Sequence, residues 1–211
     1  MQTGSQLPQR RKTLTDRAKH ASKGFLEPLA GFLFRMGVEP NLLSFVGFLL
    51  ALASGVLAAL GRFPQSGLML LLSGFLDALD GTLARLAGKT SRFGAFFDSF
   101  MDRYSEAALF FGIACWATFE NRHDMVLLVI LSLVGSVMVS YARARAEGLG
   151  IACNVGLFSR MERFIVLIGA LLSGQLFWGL LFLALMANFT AFQRLFHVAK
   201  ESRAGEPLAG P

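Results

Sequence analysis

The sequence predicts an all-α integral membrane protein with six transmembrane helices and an N-terminal amphipathic interfacial helix. Three observations carry this. Hydrophobic residues make up 54% of the chain and charged ones 16%, with a mean hydropathy of +0.54, whereas a soluble domain has about 25% charged residues. Apolar runs near the ~20 residues that cross a hydrocarbon core recur between short polar breaks. Lysine and arginine are distributed unevenly among those breaks, as the positive-inside rule expects.

Residues 1–11 are polar and basic and read as disordered. No cleavable signal is evident, because residues 1–24 contain no apolar core. A helix is expected from Thr13 to Met36, capped by Thr13 or Thr15 with Asp16 in its first turn. Arg17, Lys19 and Lys23 precede Phe25, Leu26, Leu29, Phe32, Leu33 and Phe34, and Pro28 is a point of bending. This charged-then-apolar order suits a helix lying in the membrane interface.

Gly37 to Asn41 breaks the chain, and Pro40-Asn41 suits a helix start. Spans are expected at 42–60, 66–86, 93–119, 125–145, 159–173 and 176–197. The turns between them fall at Gly61–Gln65, Gly88–Arg92, Glu120–Asp124, Gly148–Gly156 and Gly174-Gln175. Three domains follow: 1–36, a cytoplasmic tail and interfacial helix; 37–198, the six-helix membrane domain; and 199–211, a cytoplasmic tail. With a cytoplasmic N-terminus only Arg62 and Arg122 of the 20 Lys and Arg lie on the far side. The net charge of +6 is spread over tails and loops, which suits anionic lipid headgroups and argues against a nucleic-acid partner. Cys115 and Cys153 show no metal-ligand spacing and read as packing residues. His20, His123 and His197 are scattered, and no Ser or Thr has a nearby His, which argues against a serine-type covalent mechanism.

The chemistry gathers between Asp77 and Asp102, where Asp77, Asp80, Asp98 and Asp102 are the only acidic residues. A carboxylate at the centre of a membrane helix costs about 2.5–3.5 kcal/mol, so four are a functional signal. Asp77 and Asp80 share a helix face, and Gly94, Asp98 and Asp102 form a second stripe at a four-residue step. The break at Gly88–Arg92 makes these the facing ends of antiparallel helices at the cytoplasmic membrane boundary. Carboxylates so close require cations between them. An all-oxygen site that also meets substrate phosphates favours Mg²⁺ or Mn²⁺, two ions in the two-metal mode of phosphoryl-type transfer. One carboxylate must then remain to take a proton, and Asp102 lies nearest mid-membrane. On the same side, Arg143, Arg160, Arg163 and Arg194 stand at helix ends, interleaved with Glu147 and Glu162. Arginine forks bind phosphate, which points to an acceptor bearing phosphate. An ion-coupled transporter also explains intramembrane acids, but not their gathering at one end of the helices with glycine and arginine between them.

Asp77, Asp80, Gly81, Ala84, Arg85, Gly94, Asp98 and Asp102 stand at the spacing of the CDP-alcohol phosphotransferase signature, and the chain resembles that family. The resemblance implies six membrane helices, a homodimer in the cell membrane, and transfer of the phosphatidyl group of CDP-diacylglycerol to an alcohol with release of CMP. It implies that Asp77, Asp80, Asp98 and Asp102 are metal ligands and that Asp102 is the proton acceptor. It further implies that Gly81, Arg85 and Ser91, with Pro40 and Asn41, contact the CDP moiety, while Ala84 and Gly94 complete the signature. The stretches Tyr141–Gly150, Ser159–Leu167 and Gln193–His197 are similar to the phosphatidylinositol-phosphate synthase branch. There the positions of Arg143, Arg160 and Arg194 bind the acceptor's phosphate, which implies inositol 1-phosphate as acceptor. That branch often has Lys where Arg143 stands, and glycerol 3-phosphate is the alternative.

Overall fold

Proline and glycine set the helix boundaries. The computed structural model describes residues 14–88 and 91–205, with side chains from Phe25 to Arg203. The expected disorder at residues 1–11, a cap at Thr13, Lys89 and Thr90 of the break, and the end of the C-terminal tail lie outside the described residues. So do the side chains of Arg17, Lys19 and Lys23. Seven helices follow one another: α1 Leu14–Arg35, α2 Pro40–Ala59, α3 Phe63–Leu86, α4 Arg92–Phe119, α5 His123–Gly148, α6 Arg160–Ser173 and α7 Leu176–Gly205. Pro40 opens α2 where a missing N–H costs nothing. Gly88, at φ 61°, takes the left-handed conformation that ends α3 and turns the chain toward α4.

The boundaries differ from the sequence expectation mainly at two C-termini. α5 runs to Gly148, and α7 continues to Gly205, so the stretch expected to be a tail from residue 199 begins as helix. Ala199, Lys200, Glu201 and Arg203 are polar or small but strong helix formers, and they extend an established helix without needing an apolar partner.

Four helices, α2, α3, α5 and α7, are long and apolar enough to cross a membrane. The other two of the six expected spans differ in kind. α4 has the length but carries Asp98, Asp102, Arg103 and Glu106 along its N-terminal part. α6 has 14 residues, about 21 Å at ~1.5 Å per residue against a hydrocarbon core of ~30 Å.

The six helices after α1 close into a ring in which α2 packs on α3, α3 on α6, α6 on α7, α7 on α5, α5 on α4 and α4 on α2. One apolar core fills one end of that ring, with Ala58, Leu70, Phe110, Met125, Leu171 and Leu180 each from a different helix. α1 lies outside the ring, burying Leu26 and Ala30 against Leu79 and Leu83 of α3.

Small and hydroxyl residues allow the helices to close. Ser66 Oγ donates to Ser54 O at 2.8 Å, and Ser73 Oγ donates to Gly47 O at 2.8 Å, joining α2 to α3 through buried hydrogen bonds. α2 and α4 approach until backbone meets backbone. A Cβ on Gly55 would collide with the Ala108 carbonyl, and one on Gly112 with the carbonyl of Gly55. Gly112→Ala therefore forces α2 and α4 apart and destabilises the fold by about 1–3 kcal/mol. Gly169→Ala, where a Cβ meets nothing within 4 Å, leaves it unchanged. Thermal unfolding of the two variants in detergent, followed by circular dichroism, checks the contrast.

Candidate active site

The end of the ring opposite the apolar core is polar. α3 arrives there with its C-terminal half and α4 leaves with its N-terminal half, so the two acidic stripes face each other. One carboxylate oxygen each from Asp77, Asp98 and Asp102 lies within 4.8 Å of the others. Arg160, the first residue of α6, reaches into this cluster: its Nη2 donates to Asp77 Oδ1 at 3.2 Å and also to Asp102 Oδ1.

Asp80 stands apart from those three. A three-residue step turns it about 60° round α3, toward α2. It is 5% exposed and accepts a hydrogen bond from Ser44 Oγ at 2.6 Å. The four aspartates thus divide into a cluster of three and a fourth at the α2 wall.

A cavity lies on either side of the cluster. The first, about 590 Å³, brings together Pro40 and Asn41 at the start of α2, Gly81, Ala84 and Arg85 near the end of α3, and Ser91 and Gly94 at the start of α4. Asp80 and Asp98 form its inner edge. Ser91 caps α4, its Oγ accepting from the Gly94 amide at 2.9 Å. A Cβ on Gly94 would stand 3.0 Å from Ser91 Oγ and 3.8 Å from Asn41 Oδ1, so glycine keeps the capped turn close to the α2 wall. Arg85 is steadied by a bond from Nη2 to Thr82 Oγ1 at 3.0 Å.

The second cavity, about 660 Å³, is lined by Arg143, Arg160, Arg163 and Arg194, with Asp102 at its inner edge. These arginines have different partners. Arg143 is exposed and pairs with Glu147 at 2.8 Å, whereas Arg160 faces the aspartates. Arg163 is 1% exposed and donates from Nε to Glu106 Oε1 at 3.2 Å. Arg194, expected from sequence as a phosphate ligand, lines the cavity and bonds to backbone through two of its three nitrogens. Its Nε donates to Val155 O at 3.0 Å and its Nη1 to Val139 O, tying the loop before α6 to α5.

Sequence reasoning missed Ser44, Arg103, Glu106 and Ser140. Arg103 Nη1 donates to Glu106 Oε2 at 2.6 Å and to Ser140 Oγ at 2.9 Å. A signal for Glu106 was present, because the four-residue step through Gly94, Asp98 and Asp102 continues to it. Ser44 had none, since serine on an apolar helix is ordinary packing.

The CDP-alcohol phosphatidyltransferase family model matches residues 38–192. An archaetidylinositol phosphate synthase of Pyrococcus horikoshii is 38% identical over 181 residues, spanning 85% of this chain and 94% of that protein. A crystal structure of Mycobacterium tuberculosis phosphatidylinositol phosphate synthase with CDP-DAG bound matches with a TM-score of 0.79 at 29% identity, covering 88% of this chain and 98% of that one. A second structure of that enzyme, in complex with manganese and citrate, matches with a TM-score of 0.79 at 31% identity, covering 87% and 93%.

The Arg194 bonds carry a prediction of their own. Arg194→Met removes both ties to the loop, so amides between Ile151 and Phe158 exchange with deuterium about tenfold faster, while those of α5 and α7 keep their protection. Hydrogen exchange read by mass spectrometry in detergent checks this.

Proposed function

The chain belongs to the CDP-alcohol phosphatidyltransferase family, and on that premise we propose that it transfers the phosphatidyl group of CDP-diacylglycerol to inositol 1-phosphate, releasing CMP. The observation that carries the reading is the pair of cavities meeting at the acidic cluster. The five positions matched to CDP contacts line one, together with Ala84 and Gly94 of the signature, and the four arginines line the other. The acceptor follows from those arginines and from relatives named for inositol phosphate products.

Asp77, Asp80, Asp98 and Asp102 are the proposed ligands of two divalent cations, Mg²⁺ or Mn²⁺. The residues fit such ions. Their donor atoms are all hard carboxylate oxygens, and Asp77 and Asp102 share the guanidinium of Arg160, as carboxylates this close require positive charge. When bound, the cations neutralise the diphosphate and polarise the reacting phosphorus.

The chain's own residues do the remainder. Gly81 and Gly94 let the nucleotide phosphates approach the α3 and α4 backbones, with Arg85 beside them. Arg143, Arg160, Arg163 and Arg194 hold the acceptor's phosphate, and Arg194 also shapes the wall by fixing the loop. A hydroxyl of the acceptor attacks the lipid-bearing phosphorus. A new oxygen–phosphorus bond forms, the bond to CMP breaks, and Asp102 takes the hydroxyl proton.

Six crossings by α2 to α7 complete the proposed architecture, with residues 37–198 as the membrane domain and the site on the cytoplasmic face of the cell membrane. The closed ring supports this, because it turns the charged half of α4 inward and lets the loop before α6 fill the remaining depth. The lysine and arginine asymmetry supports the orientation. Exposed Phe25, Phe32 and Phe34 suit α1 to the interface. The homodimer rests on the family resemblance.

Purified protein with CDP-diacylglycerol and Mg²⁺ is expected to release CMP with inositol 1-phosphate, and not with inositol or serine. Release with glycerol 3-phosphate alone would overturn the acceptor while keeping the reaction. Asp98→Asn, or chelation by EDTA, should bring release to background, with Mg²⁺ or Mn²⁺ restoring it only after chelation. Ion flux in proteoliposomes lacking CDP-lipid, with no CMP release, would mark a transporter.

A further inference from the structure

Among the described residues Arg163 is the largest fully buried side chain, and its two Nη atoms have no hydrogen-bond partner there. A guanidinium has five N–H donors. Here the one on Nε is satisfied by Glu106, leaving four on the Nη atoms. Leaving charged donors unpaired in a protein interior is costly, so such a group calls for an explanation. Arg163 lies one helical turn beyond Arg160 on the same face of α6, in the wall of the arginine-lined cavity.

Glu106 governs this arrangement. One carboxylate oxygen accepts from Arg163 Nε at 3.2 Å and the other from Arg103 Nη1 at 2.6 Å. Arg103 is held in turn by Ser140 of α5 at 2.9 Å. One carboxylate, just outside the residues that line the cavity, therefore joins α4 to α6 directly and to α5 through Arg103, and stands between two arginines that would otherwise repel. It holds Arg163 by the Nε edge alone.

We propose that Glu106 is a positioning residue for the acceptor: by anchoring Arg163 through Nε, it reserves the paired Nη donors for oxygen atoms of the phosphorylated polyol. The inference rests on the transferase reading above and deepens it. Arg160 meets the end of the acceptor nearest the carboxylates, and Arg163 receives the part that reaches deepest between α4, α5 and α6. Selection among phosphorylated polyols then depends on how far the acceptor extends toward Arg163, beyond the charge of its phosphate.

Glu106→Gln keeps the side chain's size but replaces one accepting oxygen by a donor, turning Arg163 or Arg103 loose. With the full chain in nanodiscs, it is expected to raise KM for inositol 1-phosphate about tenfold and to leave KM for CDP-diacylglycerol within about twofold. Glu106→Asp, which keeps the charge at shorter reach, should fall between. The double variant Glu106→Gln/Arg163→Met removes both members of the pair. It should regain parental thermal stability while the acceptor KM stays high. Equal changes in both KM values, or a double variant that recovers acceptor KM along with stability, would show a merely structural role and overturn the proposal.

The two readings fail separately. Should the parent release no CMP with any acceptor, the transferase reading falls. Thermal stabilisation by inositol 1-phosphate still reads Glu106, and an undiminished shift in Glu106→Gln overturns its role.

Discussion

Carboxylates on helices that are otherwise apolar must meet positive charge or be held away from lipid. Asp77 and Asp102 meet that charge in one neighbour, Arg160, which starts α6, and Asp98 stands beside them in the same cluster. The rest of the bundle follows from bringing that residue to that place. α6 must begin at the depth of the acidic cluster, and α3 and α6 must pack as neighbours. The ring has to close for the charged half of α4 to face inward. A loop of irregular chain before α6 is admissible because Arg194 and His197 of α7 hold its carbonyl oxygens.

That constraint explains the division of the molecule into two ends. At one, side chains from six helices interlock in a single apolar core, and glycine at positions 55 and 112 brings α2 and α4 into backbone contact. At the other, the same helices diverge around two cavities that share an acidic wall. The tight end fixes the angle at which the helices leave it, and at the open end the packing of α1 on Leu79 and Leu83 braces α3 from outside the ring. Rigid support beneath a polar site is what close positioning of reacting groups requires.

Much of this was legible in the sequence, for identifiable reasons. Helix positions could be read because each apolar run is long and its ends carry proline, glycine or serine. The acidic cluster could be read because charge within apolar sequence is rare enough to be noticed. Seven residues from three segments, Pro40 to Gly94, could be assigned to one wall only through resemblance to a family, and the structure gathers them round one cavity. What escaped were the properties that depend on rotation and partner choice. Nothing in the spacing said that Asp80 turns to Ser44, or that Arg194 bonds to two carbonyls. The limits of α7 escaped too, because its last turns are polar and extend a helix already formed.

The four arginines show why a charge pattern is an incomplete guide to a site. Read from sequence, Arg143, Arg160, Arg163 and Arg194 form one set with one role. In the structure one guanidinium bonds to two carboxylates of the acidic cluster, one is tied to Glu106, one braces backbone and one sits exposed with an ion-pair partner. Removing any of them would subtract the same unit of charge, yet each loss would act through a different contact. A phosphate drawn toward this cavity meets a field to which all four contribute, since Coulomb attraction falls off slowly in a poorly screened cleft. Its final position, however, depends on whichever donors the protein has left unpaired. On the proposed assignment of the acceptor to this cavity, affinity and selectivity are separate properties: the sum of charges would draw anionic acceptors in, and the internal hydrogen bonds of the arginines would decide which acceptor can be held.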